Sequence, residues 1–166
     1  LTQIVRQASG LVLADFGRAD IDRLRSFYRA AKRNDRALVV TSRQAYLLKE
    51  LGRDPHLKVP KLDDESVRIF RKEKKHYYTW EKEIFASDNV VDSSQIAEAQ
   101  SNVILITSFY DFEELIEINP ASGSCYILSA SEPFDEEMEI DFNKLVNWLD
   151  HYGLPQYHVH VSGHIM

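Results

Sequence analysis

The sequence predicts an α/β domain: a three-layer, open parallel sheet with helices on both faces, Rossmann-like in plan. Three observations carry that prediction. Short apolar runs recur without polar alternation, as strands buried on both faces do. Amphipathic segments with capping residues separate them, which implies strand–helix–strand crossovers. The 166 residues make about one domain and show no internal repeat, so the whole chain, 1–166, is read as a single domain.

The first strand is Leu11-Val12-Leu13-Ala14-Asp15-Phe16, between Gly10 and Gly17. Asp20 then caps a helix in which Ile21, Leu24, Phe27, Tyr28 and Ala31 repeat at helical spacing. Lys32 and Arg33 suit its negative end, and Asn34 stops it. Ala37-Leu38-Val39-Val40 is the second strand. Thr41 and Gln44 have capping-box spacing and open a helix that ends at Gly52 and Pro55. Residues 58–100 are less regular and read as an insertion or a helical edge. Within them 58–60 is a short extended piece, 68–85 is helical or mixed, 87–94 is a polar loop and 95–100 is a short helix. Val103-Ile104-Leu105-Ile106-Thr107 is a clear buried strand, after which Ser108 caps a short helix carrying Phe112 and Leu115. Cys125-Tyr126-Ile127-Leu128 follows as a strand. The acids Asp135, Glu136, Glu137, Glu139 and Asp141 are contiguous rather than spaced as metal ligands, and read as a solvated loop leading to a helix capped by Asp141. Phe142, Leu145, Val146 and Leu149 form that helix's apolar stripe, and Gly153 and Pro155 end it. Residues 157–161 are the last strand.

Composition narrows the function classes. Twenty bases against 26 acids give a net charge of −6 and a pI near 5.5, which argues against a uniformly basic nucleic-acid binder but not against a local basic groove. A single cysteine, Cys125, excludes an internal disulfide framework and any multi-cysteine zinc site, and fits a reducing, cytoplasmic compartment. No apolar run approaches the ~20 residues needed to span a bilayer, and no signal peptide is visible, so no membrane partner is expected.

In parallel sheets ligands bind beyond the carboxyl ends of the strands. The residues there are Asp15 to Arg18, Thr41 to Arg43, Thr107 to Phe109, then Ser129, Ser131 and Glu132, and finally Ser162, Gly163 and His164. Hydroxyls and helix-start amides on one edge suit phosphate, and the same residue types also serve simply as helix caps. Dinucleotide and P-loop fingerprints are absent. His158 and His160, two apart on a strand, share a face, and His164 projects past the strand end; with no acidic ligand nearby they do not make a complete zinc site. Residues 68–80 carry five bases and one acid among aromatics, a composition that suits single-stranded nucleic acid and equally a solvated helix face with its rings turned inward.

Two segments then stand out: Tyr157-His158-Val159-His160-Val161-Ser162-Gly163-His164, and Tyr126-Ile127-Leu128-Ser129-Ala130-Ser131-Glu132-Pro133-Phe134. Together they resemble the β-CASP domain of metallo-β-lactamase-fold nucleases, most of all ribonuclease J and its archaeal relatives. The opening strand–helix–strand segment fits the start of such a domain. The resemblance covers most of the chain and is weakest across 58–100. It implies a β-CASP domain inserted in a metallo-β-lactamase domain, RNA as partner in the groove between them, and two zinc ions in the lactamase part that activate a hydroxide. It makes His164 the catalytic residue, through leaving-group protonation or phosphate stabilisation. It places Ser129, Ser131, His160, Ser162 and Gly163 around a nucleotide phosphate. The chain lacks a His-x-His-x-Asp-His run and the acidic motif expected upstream, begins at Leu1 and stops soon after His164. The expectation is therefore an excised domain with no zinc of its own, inactive alone, whose parent supplies the lactamase domain; whether the parent is a homo-oligomer stays open. The rival expectations are a stand-alone module for a phosphorylated metabolite or nucleotide, and a non-catalytic RNA-binding scaffold.

Overall fold

A computed structural model describes residues 1–108, 111–129 and 136–159, with backbone alone for 136–139 and 141. Seven parallel strands form one sheet in the order β4-β3-β2-β5-β1-β6-β7. They are β1 (Val12–Phe16), β2 (Ala37–Val40), β3 (Val67–Phe70), β4 (Val90–Val91), β5 (Val103–Ile106), β6 (Cys125–Ser129) and β7 (Gln156–His158). The helices are α1 (Thr2–Gln7), α2 (Ile21–Arg33), α3 (Ser42–Leu51), α4 (Thr79–Ile84), α5 (Ser93–Glu98), α6 (Glu114–Ile118) and α7 (Glu136–Tyr152).

Strand periodicity divides the core into two layers. Val12, Ala14, Leu38, Val40, Ile104 and Ile127 meet α1 to α4 through Val5, Leu24, Phe27, Ala45, Leu48 and Ile84. Leu13, Val39, Leu105, Tyr126 and Leu128 face α5 to α7 through Ile96, Leu115, Ile118, Leu145 and Leu149. Both faces are covered, so the three-layer α/β parallel sheet read from the sequence is the fold observed.

The predicted caps at α2 and α3 form. Asp20 accepts the Arg23 N–H at 3.0 Å, and Thr41 and Gln44 exchange backbone and side-chain hydrogen bonds at 3.1 Å. Other readings need correction. Residues 68–85 are mixed rather than one helix. Val67–Phe70 is a strand with Val67 and Ile69 fully buried, followed by irregular chain and the short α4. The polar loop 87–94 contains β4, a two-residue edge strand braced by Asn89, whose amide donates to Leu62 O (2.6 Å) and Val67 O (3.1 Å). Residues 58–100 thus supply two strands of the sheet. Helix α5 starts two residues earlier than expected because Asp92 caps it with a Gln95 capping box. Helix α7 begins at Glu136, so Asp141 lies inside it; Glu and Met favour helix, and acids suit its positive end. The Ser108 hydroxyl donates to the Asp111 carboxylate at 3.0 Å, and α6, which carries Leu115, begins at Glu114; residues 109–110, just after the predicted cap, lie outside the described residues. Helix α1 had no sequence signal beyond a buried Val5.

At the amino edge the Arg36 guanidinium, 6% exposed, donates to the carbonyls of Ala8 (2.6 Å), Gly10 (2.9 Å) and Val103 (3.0 Å). It joins the entries to β1 and β2 to the start of β5. Among the described residues, no helix is long and apolar enough to cross a membrane.

Candidate functional site

Two places at the carboxyl edge concentrate polar side chains. The first is the corner formed by β1, β6 and β7. In register, Leu128 lies opposite His158 and Phe16 opposite Ser129. Val159 continues the ladder, its N–H donating to Leu128 O at 3.0 Å. Ser129 is 0% exposed; its hydroxyl donates to Val159 O (3.0 Å) and accepts from Arg23 Nε (2.9 Å). Arg23 also pairs with Asp20, the α2 cap. His158 is exposed, with Nε2 at 3.0 Å from Gln156 Nε2 and its ring 6.4 Å from that of Phe142. Of the other sequence-predicted site residues, Ser131, His160, Ser162, Gly163 and His164 lie outside the described residues. The sequence reading missed Arg23. Its signal was present: a base in the first turn of the helix that follows β1.

Beside this corner, Asp15 points into the layer of α5 to α7 and accepts a hydrogen bond from the hydroxyl of fully buried Tyr126. Burial pushes the Asp15 carboxyl up to about 6; the Tyr126 bond opposes this, nearby Asp111 adds to it and Arg18 opposes it. Burial likewise raises the Tyr126 phenol far above its ordinary range, reinforced by the Asp15 charge. The Cys125 thiol is pushed up to about 11 by burial, so it is not a ready nucleophile.

The second place is a cleft of about 250 Å³ at the ends of β2, β3 and β5. β2 and β5 are neighbours, but β2 runs on into α3 in one helical layer and β5 towards α6 in the other. Such a divergence opens a crevice at a topological switch point. Phe70, Leu105 and Ile106 line its apolar part; four bases and three acids line the rest among the described residues. Lys72 pairs with Asp111 at 3.4 Å and Lys74 with Glu81 at 2.5 Å. Glu81 is 4% exposed and also accepts the Tyr78 N–H at 2.8 Å. Burial alone would raise its carboxyl, but the Lys74 ammonium and the Tyr78 N–H, with a smaller contribution from the Arg43 charge, hold it below the usual range. The Lys74 ammonium also lies 5.5 Å from the Tyr78 ring centre. Arg18 and Arg43 are exposed, and among the described residues neither has a hydrogen-bond or ion-pair partner.

The structure brings together what the sequence offered separately: Arg18, Thr41, Ser42, Arg43 and Thr107 from the strand ends, and Lys72, Lys74, Tyr78 and Trp80 from the basic aromatic stretch. That stretch is not a helix face, because β3 ends at Phe70 and the chain turns over the sheet edge before α4. Asp111, Glu114 and Glu81 were missed as members, since each reads as an ordinary helical acid. No three His, Cys, Asp or Glu side chains among the described residues converge as metal ligands. No protein-family model matches the sequence, and no curated protein matches it.

Proposed function

We propose that this chain is a β-CASP domain, the part of a zinc-dependent ribonuclease that binds RNA and completes the active site against a metallo-β-lactamase domain. One observation carries the reading. The two segments on which the resemblance rests are distant in sequence, and their described parts lie in adjacent parallel strands: Tyr126, Ile127 and Leu128 pair with Gln156, Tyr157 and His158. Both strands end at one carboxyl corner, where a parallel sheet presents ligands. Ser129 contributes there as a tie between β6 and β7 and as the partner of Arg23. In this reading Ser131, His160, Ser162 and Gly163 hold a nucleotide phosphate. His164 protonates the leaving group or stabilises the phosphate charge. In this reading the zinc pair belongs to the lactamase domain, and no step assigned to this chain passes through it. The chain alone cleaves nothing. A lone, buried Cys125 supports a cytoplasmic setting.

The test is RNA binding and cleavage by the full-length gene product supplied with zinc. Cleavage is expected, and His164→Ala should lower it by about 10²- to 10⁴-fold with little change in melting temperature. A product that neither binds nor cleaves RNA ends the proposal. A large loss of thermal stability in the His164 variant makes that residue structural.

A further inference from the structure

The cleft between β2 and β5 is not used by the reading above, which places the phosphate at the β6–β7 corner. Its chemistry is of a definite kind. The interior is apolar, from Phe70, Leu105 and Ile106. Tyr78, 69% exposed, and Trp80 form an aromatic side; Trp80 is braced edge-on by Tyr46 with ring centres 5.6 Å apart. The two lysines are paired with Asp111 and Glu81; the remaining charged lining is Arg18, Arg43 and Glu114, whose carboxylate accepts the Ser93 hydroxyl at 2.9 Å, so the two arginines outweigh the one acid. These arginines come from different strands, Arg18 after β1 and Arg43 in the first turn of α3, and line the same cleft.

The geometry points to a nucleotide subsite in this cleft, with Arg43 and Arg18 taking the phosphate and Tyr78 and Trp80 flanking the base. A guanidinium with no hydrogen-bond or ion-pair partner among the described residues fits a phosphate by two parallel hydrogen bonds. An exposed aromatic beside an apolar wall favours a flat, partly apolar ring over a simple sugar phosphate or a free anion. The size, near the lower end of ligand pockets, suits one nucleotide rather than a length of strand. That nucleotide is either free or one unit of an RNA chain. Only the RNA form rests on the ribonuclease reading.

The experiment is calorimetric titration of the full-length gene product, and of its Arg43→Gln, Arg18→Gln and Tyr78→Ala variants. The probes are adenosine monophosphate, uridine monophosphate, inorganic phosphate and a short single-stranded RNA. All three changes fall on exposed side chains, so the variants should fold; circular dichroism checks this. Binding of a monophosphate in preference to phosphate is expected. Arg43→Gln should weaken it by about ten- to a hundredfold, and Tyr78→Ala by about tenfold. RNA binding that exceeds mononucleotide binding, competes with it and falls in the same variants assigns the site to an RNA unit. Mononucleotide binding without RNA competition assigns it to a free nucleotide. Binding of neither mononucleotide nor RNA, binding no tighter than that of inorganic phosphate, or binding indifferent to all three variants overturns the inference. RNA cleavage by the same preparation reads the ribonuclease proposal independently. Cleavage with unaltered titrations leaves that proposal standing and removes this one, and Arg43-sensitive nucleotide binding without cleavage does the reverse.

Discussion

Replacing Asp15 by asparagine tests the electrostatics of the sheet's centre. The Asp15 carboxyl is raised from 3.8 to about 6, chiefly by burial. At ~1.4 kcal/mol per tenfold in proton affinity, that is a ~3 kcal/mol penalty on the charged form. The folded state holds this proton more tightly than the unfolded chain does. The stability Asp15 allows is therefore fully present below pH 3.8 and is lost as the pH rises through about 6. Asparagine keeps the shape and the acceptor for the Tyr126 hydroxyl but never ionises. Urea unfolding of both proteins at about pH 7.5 and about pH 4.5 should show the variant's relative stability improving by ~2 kcal/mol at the higher pH. Comparing the two proteins cancels the other carboxylates, including Asp64 and Glu81, which are held low and lose stability as the pH falls. A stability difference that is the same at both pH values would refute the reasoning. It would mean that Asp15 is ionised at no cost, solvated or balanced by Arg18.

Three further outcomes are expected. Arg36→Met should lower unfolding free energy by at least ~3 kcal/mol, because two buried carbonyls and the half-buried Ala8 carbonyl lose a charged donor; a loss below ~1 kcal/mol in denaturant titration would show that water replaces it. Gly10→Ala should destabilise sharply, since a Cβ there would lie 2.5 Å from Ser124 Oγ and 2.8 Å from Ser124 N, and that hydroxyl accepts the Leu11 N–H at 2.8 Å; an unchanged melting temperature would count against this packing. Ser129→Ala should cost ~1–2 kcal/mol by leaving Val159 O and Arg23 short of a partner, and hydrogen exchange at the Val159 amide should quicken; undiminished protection there would remove Ser129 as the tie between the last two strands.

What was legible in the sequence is what local physics decides. The runs at 12–16, 37–40, 103–106 and 125–129 are long enough and apolar enough to need burial on both faces, and caps at Asp20 and Thr41 act within three residues of themselves. Those features alone determined a layered, parallel α/β sheet and ordered most of its elements. The missed strands have no such local cause. Val67–Phe70 is interrupted by Arg68 and runs into a basic stretch, and Val90–Val91 is two residues long; each is a strand because its neighbour offers a ladder. The corner and the cleft belong to the same class of fact. Ser129 meets Arg23 across 106 positions, Lys72 meets Asp111 across 39, and Asp15 accepts from the Tyr126 hydroxyl 111 residues away. Burial and pairing between residues so far apart depend on strand order. The sequence shows that a sheet forms; only the tertiary structure decides that β5 sits between β2 and β1, and so which charges share a cleft.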